Sequence, residues 1–153
     1  MKLTEYTDYT LRTLIFLGLH RGELVTIQQI ADSYDISKNH LMKIIHRLGQ
    51  DGLVETVRGR SGGVVLRKAP EDISIGAVVR ASEQDFALVE CFSRANNRCV
   101  LSPVCRLQAG FREALEAFFK VLDGLTLADI LGNAAEIAPY IPLPNPRLQE
   151  KRT

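Results

Sequence analysis

The spacing of apolar residues changes character twice along the chain. From residue 4 to residue 20, Leu11, Leu14, Ile15 and Gly18 recur at helical spacing, with Thr4 placed to cap the start and Arg21-Gly22 to close the end. TIQQIADSY follows, a capping box of Thr26 and Gln29 ahead of Ile27, Ile30 and Ala31. In DISKNHLMKIIHRLGQDG, Ser37 stands at an N-cap, Leu41, Ile44, Ile45 and Leu48 share one face, and Gly52 suits the C′ position. Then the period drops to two. LVETV (53–57) and VVLRK (64–68) read as strands joined by the glycine-rich turn GRSGG (59–63). Three helices and a two-stranded ribbon with a basic tip outline a winged helix-turn-helix.

Beyond Pro70 the helical period returns. Ser74 precedes Ile75, Val78 and Val79, and from about Pro103 to Leu122 a broad stripe runs through Leu107, Phe111, Ala114, Leu115, Phe118, Val121 and Leu122. Gly124 stops that helix, and Thr126 to Asp129 starts a last short one. The predicted fold is mainly α with a small two-stranded β wing: a winged helix-turn-helix plus a long dimerisation helix. It divides into a DNA-binding domain (1–70), a connecting helix (71–89), a cysteine loop (90–105), a dimerisation helix with a short C-terminal helix (103–140) and a polar, proline-rich tail (141–153) expected to be disordered.

Composition narrows this picture. The chain has 153 residues, 46% of them apolar, and no Trp, so aliphatic helix packing should form the core. No stretch approaches the roughly 20 apolar residues of a membrane span, and the polar start MKLTEYTDYT is no signal peptide. The expected place is the cytosol, where thiols stay reduced. Net charge is only +1, but its distribution is uneven. Between residues 38 and 68, Lys38, Lys43, Arg47, Arg58, Arg60, Arg67 and Lys68 face only Asp51 and Glu55, a local excess that suits a phosphate surface.

That excess falls on the two elements that would meet DNA. A helix-turn-helix sets the N-terminal residues of its second helix at the base edges. Here these are Ser37, Lys38, Asn39, His40 and Lys43, side chains able to read bases or bind phosphate. The wing tip carries Arg58 and Arg60 beside Ser61, Gly62 and Gly63. A guanidinium there can enter a narrow minor groove, and the glycines allow close backbone approach to phosphate. A two-fold dimer built on the long apolar stripe would offer two recognition helices to a palindromic double-stranded operator with half-sites about one turn, or a multiple of it, apart.

The three cysteines, Cys91, Cys99 and Cys105, all lie in one loop with the spacing C-x7-C-x5-C. Zinc sites usually hold closer pairs. The wide spacing suits an iron–sulfur cluster, for which thiolate is the usual ligand. Buried structural cysteines and a metal-free thiol switch are the alternatives. An enzyme or a small electron carrier has less support, because there is no nucleotide motif, second cluster set or acid–base constellation.

Three stretches carry a resemblance: MKLTEYTDYTLRTLIFL, ISKNHLMKIIHRLGQDGLVETVRGRSGG and ECFSRANNRCVLSPVCRL. They resemble the winged-helix iron–sulfur transcriptional regulators, in their nitric-oxide-sensing branch, over roughly residues 1–140. VRGRSGG matches the glycine-rich wing of the wider family and the cysteine spacing fits that branch. The resemblance implies a homodimer with crossing long helices. Each subunit would hold one iron–sulfur cluster, 4Fe–4S in preference to 2Fe–2S, through Cys91, Cys99 and Cys105. It implies a fourth ligand from the first helix of the other subunit, matching Asp8, and a cytoplasmic repressor that leaves promoters of nitric-oxide-detoxification genes when nitric oxide destroys the cluster. Asp8 could also pair with Arg12 one turn on, which makes Asp8 and Arg12 the candidate switch. The same scaffold could instead sense cluster supply or general oxidation.

Overall fold

The computed structural model describes residues 2–93, 95 and 97–142. Helix α1 spans Glu5–Leu19, α2 Ile27–Tyr34 and α3 Lys38–Gln50. Strands β1 (Val54–Val57) and β2 (Gly63–Leu66) pair antiparallel, with Val54 opposite Leu66 and Val57 opposite Gly63. Then come α4 (Ile75–Ser82), α5 (Arg106–Asp123), α6 (Leu127–Ile130) and α7 (Ala134–Ile137). Among the described residues, no helix is long and apolar enough to cross a membrane.

The first helix has an inner face that the apolar pattern misplaces. Leu14, Phe16 and Leu17 are buried, as are Thr7, Thr10 and Thr13, while Leu11, Ile15 and Gly18 are only half-buried. The threonines can go inside because their hydroxyls are satisfied locally. Thr10 donates to the Tyr6 carbonyl and Thr13 to the Tyr9 carbonyl, each at 2.7 Å. A paired hydroxyl leaves the methyl to pack like an apolar group. Gly18 is needed for a different reason. A Cβ there would sit 2.5 Å from Leu131 Cδ1, so the glycine lets the C-terminal segment lie against α1.

The capping box of α2 forms as expected, with the Thr26 hydroxyl accepting from the Gln29 N–H and the Gln29 side chain accepting from the Thr26 N–H. Asp35 then turns the chain with φ 53°, a left-handed conformation that Asp adopts more readily than most residues. This turn buries Ile36 and aims α3 outward. Leu41, Ile44, Ile45 and Leu48 anchor α3 from below. Gly52, with φ 72°, closes it just past the Asp51 cap.

The wing is tied to the helices by a short bridge, in which Val25 and Val64 exchange backbone hydrogen bonds at 3.0 and 2.7 Å. Its strands are shorter than the apolar run suggests. After Leu66 the N–H groups of Arg67 and Lys68 turn back to the Leu53 carbonyl. Further on, Ile73 and Ile75 exchange backbone bonds with Leu125 and Leu127, at 2.9 Å each, so the end of α5 returns beneath α4.

Helix α5 starts at Arg106 rather than Pro103, with Cys105 as its N-cap. It has 18 residues and none is buried. One side meets the body: Phe119 stacks edge-on against Phe86 at 4.6 Å, and Arg80 of α4 pairs with Asp123 through both guanidinium nitrogens while lying 4.1 Å from the Phe119 ring centroid. The other side is open, with Leu107 and Val121 about two-thirds exposed (65% and 66%). The expected disorder does not hold at residue 141. Ile141 is buried and its carbonyl lies 3.4 Å from His20 Nε2, whereas 143–153 fall outside the described residues.

Candidate nucleic-acid interface and cysteine loop

The outer face of α3 is polar and basic because Leu41, Ile44, Ile45 and Leu48 turn into the core, leaving Met42 as the helix's one exposed apolar side chain. Ser37, Lys38, Asn39, His40 and Lys43 are exposed together at its N-terminal end, and the first turn of the helix holds no acidic residue. Ser37 holds the N-cap position, yet its hydroxyl makes no capping bond, so the oxygen can serve another partner. His40 lies 6.3 Å, ring to ring, from Tyr9 of α1. Arg47, counted in the basic excess, is held by Asp51 at 3.1 Å on the same helix.

At the wing tip, Arg58, Arg60 and Ser61 are exposed, and neither arginine forms an ion pair among the described residues. Gly62 and Gly63 are half-buried, and the fold itself requires them. A Cβ on Gly62 would sit 2.3 Å from the Val57 carbonyl oxygen, and one on Gly63 would sit 2.9 Å from that of Val25. Gly59 takes φ 119°, which few other residues tolerate. The glycines therefore shape a tight hairpin that presents two free guanidinium groups beside α3.

The cysteine loop is anchored to the start of α5. Cys91 lies in a 3-10 turn (Glu90–Phe92), and the Gln108 side-chain amide donates to its carbonyl at 2.9 Å. Arg112, one turn further along α5, lies 5.1 Å from the Phe92 ring centroid. Asn97 accepts the Cys99 N–H at 3.0 Å and donates to the Ser102 hydroxyl at 2.8 Å, which folds the middle of the loop. Gln108 and Arg112 carry no signal in the sequence, because a helix residue facing back over its own first turn has no special composition. All three thiols are free and half-buried.

The donors suit iron in kind: three soft thiols on one adaptable loop. They are not drawn together, since no three potential metal ligands converge among the described residues. Asp8 stands apart, paired with Arg12 at 2.7 Å with both side chains about half exposed. A single chain thus supplies the donor types without gathering them into one place among the described residues. The bare apolar side of α5 begins at the third cysteine, and Val100, Leu101 and Val104 extend it through the loop as further exposed apolar residues.

Comparison with known proteins agrees with this geometry. The model of the Rrf2 family, described as iron-dependent transcriptional regulators, matches residues 3–133. The chain is 59% identical over 138 residues to the HTH-type transcriptional regulator NsrR of Bacillus subtilis (strain 168), covering 90% of this chain and 94% of that one. It is 53% identical to the regulator of the same name from Geobacillus kaustophilus (strain HTA426), over 90% of this chain and 94% of the relative. Among solved structures, T. potens IscR superposes with a TM-score of 0.71 at 25% identity, covering 97% of this chain and 96% of that chain. CymR, the global cysteine regulator of B. subtilis, superposes with a TM-score of 0.67 at 27% identity, over 87% and 98% of the respective chains. The winged helix with its exposed basic reading face, and relatives of such close identity along nearly the whole chain, place this protein in the Rrf2 family of DNA-binding transcriptional regulators.

Proposed function

We propose that this protein is a homodimeric repressor that senses nitric oxide through one iron–sulfur cluster per subunit, 4Fe–4S in preference to 2Fe–2S. The observation that carries the reading is the confinement of every thiol to the stretch joining α4 to α5, next to an apolar helix face with no cover among the described residues. Cys91, Cys99 and Cys105 would bind the cluster, and Asp8 of the second subunit would complete the set. When bound, such a cluster supplies iron that reacts with nitric oxide, and an oxygen ligand leaves one iron more open than a thiolate would. The reading also rests on the resemblance of the cysteine loop to the nitric-oxide-sensing branch.

The chain's own residues supply the response. Asp8 pairs with Arg12, and ligation of iron by Asp8 would break that pair. As an exposed pair one turn apart it contributes only about 0.3–0.5 kcal/mol, too little to compete with ligation of iron. Engaging Asp8 therefore releases Arg12, and loss of the cluster lets the pair re-form. Helix α1 packs on α3, so the change lies one helix away from the reading face. Ser37, Lys38, Asn39, His40 and Lys43 would meet the major groove, and Arg58, Arg60, Ser61, Gly62 and Gly63 the flanking minor groove and phosphates of a palindromic operator.

Anaerobic reconstitution of the wild type, the single Cys→Ser variants and Asp8→Ala tests this. Each Cys→Ser variant is expected to lose most of its iron and sulfide. Asp8→Ala is expected to keep a cluster with an altered visible spectrum and an altered nitric oxide response. An Asp8→Ala protein indistinguishable from wild type on both counts removes Asp8 from the ligand set, and full iron retention by the Cys→Ser variants removes the loop.

A further inference from the structure

Helix α1 starts with an incomplete cap. Thr4 accepts the Thr7 N–H at 3.3 Å, which is half of a capping box. The other half needs a Glu or Gln three residues after the cap, reaching back to the cap residue's own N–H. In α1 that position is Thr7, whose hydroxyl is turned to Ser82 Oγ at 2.9 Å. The missing acceptor comes from elsewhere. Glu83 Oε1 accepts the Thr4 N–H at 2.7 Å and the Thr4 hydroxyl at 3.1 Å, across 79 positions of sequence.

Glu83 is also the C-cap of α4 and the point where the chain departs for the cysteine loop. Its N–H bonds back to the Val79 carbonyl at 3.0 Å, and the neighbouring Ser82 hydroxyl donates to the Val78 carbonyl at 2.9 Å. Both ends of the junction are thus held. Beyond it, Phe86 fixes the departing chain on Phe119 of α5. The same short segment joins the first turn of α1, which includes Asp8, to the start of the loop that carries the thiols. Burial would raise the Glu83 carboxyl, but the nearby Thr7 hydroxyl and the two bonds from Thr4 outweigh it and hold the group below its ordinary value, so it stays an acceptor at neutral pH.

We propose that Glu83 is a positioning residue that completes the cap of α1 from the start of the cysteine loop, and so passes the state of the loop to the reading helix. The proposal rests on the cluster-sensing reading above and deepens it. Drawing Cys91 towards the other thiols pulls on the chain between residues 84 and 90, and through the Phe86 contact on α5 the pull reaches the Glu83–Thr4 junction. Because α1 packs on both α4 and α3, a shift of its first turn is felt at α3. Glu83 itself binds neither iron nor DNA in this scheme.

The test uses the full chain, loaded anaerobically with cluster or left without it, and an operator duplex selected from random-sequence DNA by the loaded wild type. The readouts are the visible absorption of the cluster and the ratio of DNA affinities with and without it. Glu83→Ala is expected to keep the wild-type spectrum while its affinity ratio falls about tenfold relative to wild type, within the usual range of coupling between sites. Glu83→Gln is expected to retain the wild-type ratio, because an amide oxygen can accept the same two bonds. Should Glu83→Ala not fold, Ser82→Ala, which removes the partner of Thr7 and the Ser82 bond to the end of α4, is expected to lose part of the ratio. An unchanged ratio in the folded variant overturns the proposal. An altered spectrum in Glu83→Ala also overturns it, since Glu83 would then touch the cluster. If the wild type itself binds DNA equally with and without cluster, the sensing reading fails instead.

Discussion

Replacing Gly63 with alanine puts a methyl group against backbone that cannot step aside. Its Cβ would lie 2.9 Å from the Val25 carbonyl oxygen and 3.1 Å from the Val25 carbonyl carbon and nitrogen. Relief requires β2 to move away from Val25 by about half an ångström. That movement lengthens the two backbone bonds between Val25 and Val64, now 3.0 and 2.7 Å, between residues that are fully buried. Overpacking of this kind costs about 1–3 kcal/mol, and weakening two buried hydrogen bonds adds about 0.5–1.5 kcal/mol each. A total of about 2–6 kcal/mol corresponds to a fall in Tm of about 4–24 °C for a chain of this size. Differential scanning calorimetry of the cluster-free protein measures it. Gly49→Ala is the control, because its Cβ meets nothing closer than 4.0 Å in an exposed helical position and should gain about 0.5–1 kcal/mol. Tilting the wing should also weaken DNA binding by misdirecting Arg58 and Arg60. A Gly63→Ala protein that melts within about 2 °C of wild type would refute the claim that this glycine sets the wing on the helices.

Three further outcomes follow from the same geometry. Leu107→Glu combined with Val121→Glu places charge on the bare side of α5 and should convert the protein to a monomer in sedimentation velocity; a dimer that survives both changes does not use this face. Arg58→Ala with Arg60→Ala should lower affinity across all duplex sequences and reduce the slope of log affinity against log salt by about one for each arginine that meets a phosphate, and an unchanged slope would place the wing off the DNA. Burial pushes the Tyr34 phenol up to about 12 from 10.0, against a smaller opposing effect of Arg12. The unfolded chain ionises first, so stability should fall as pH rises from 10.0 to about 12, and Tyr34→Phe should flatten that part of the urea-denaturation profile.

Local features of the sequence are the ones that read true. The α2 capping box, the helical spacing of Leu41, Ile44, Ile45 and Leu48, and the change to period two at Leu53 each involve residues within a few positions of one another. The wing glycines read as serving DNA, and the structure adds a prior reason, the backbone lying against Gly62 and Gly63. Helix α1 misleads because threonine counts as polar in a periodicity. Thr7, Thr10 and Thr13 hide their hydroxyls in bonds to Ser82, Tyr6 and Tyr9, so the true inner face is partly written in polar letters. The pattern places the start of α5 too early because Pro103 is a good first-turn residue, whereas residues 101–104 form turns and Cys105 holds the cap. Glu83 leaves no local signal at all, since its partner Thr4 is 79 positions away. The candidate ligands divide along the same line. The three thiols announce themselves by clustering in sequence, but Asp8 can be named only through family resemblance.

The most direct test of cluster-based sensing is an anaerobic titration of the cluster-reconstituted protein with nitric oxide, following visible absorption and retention of an operator duplex in the same samples. Colour and DNA retention are expected to fall together and to be lost at a few nitric oxide molecules per cluster, with cluster-free protein showing the same weak retention from the start. DNA retention that is equal with cluster, without cluster and after nitric oxide would contradict this, and would leave a winged-helix regulator whose cysteine loop is not its switch.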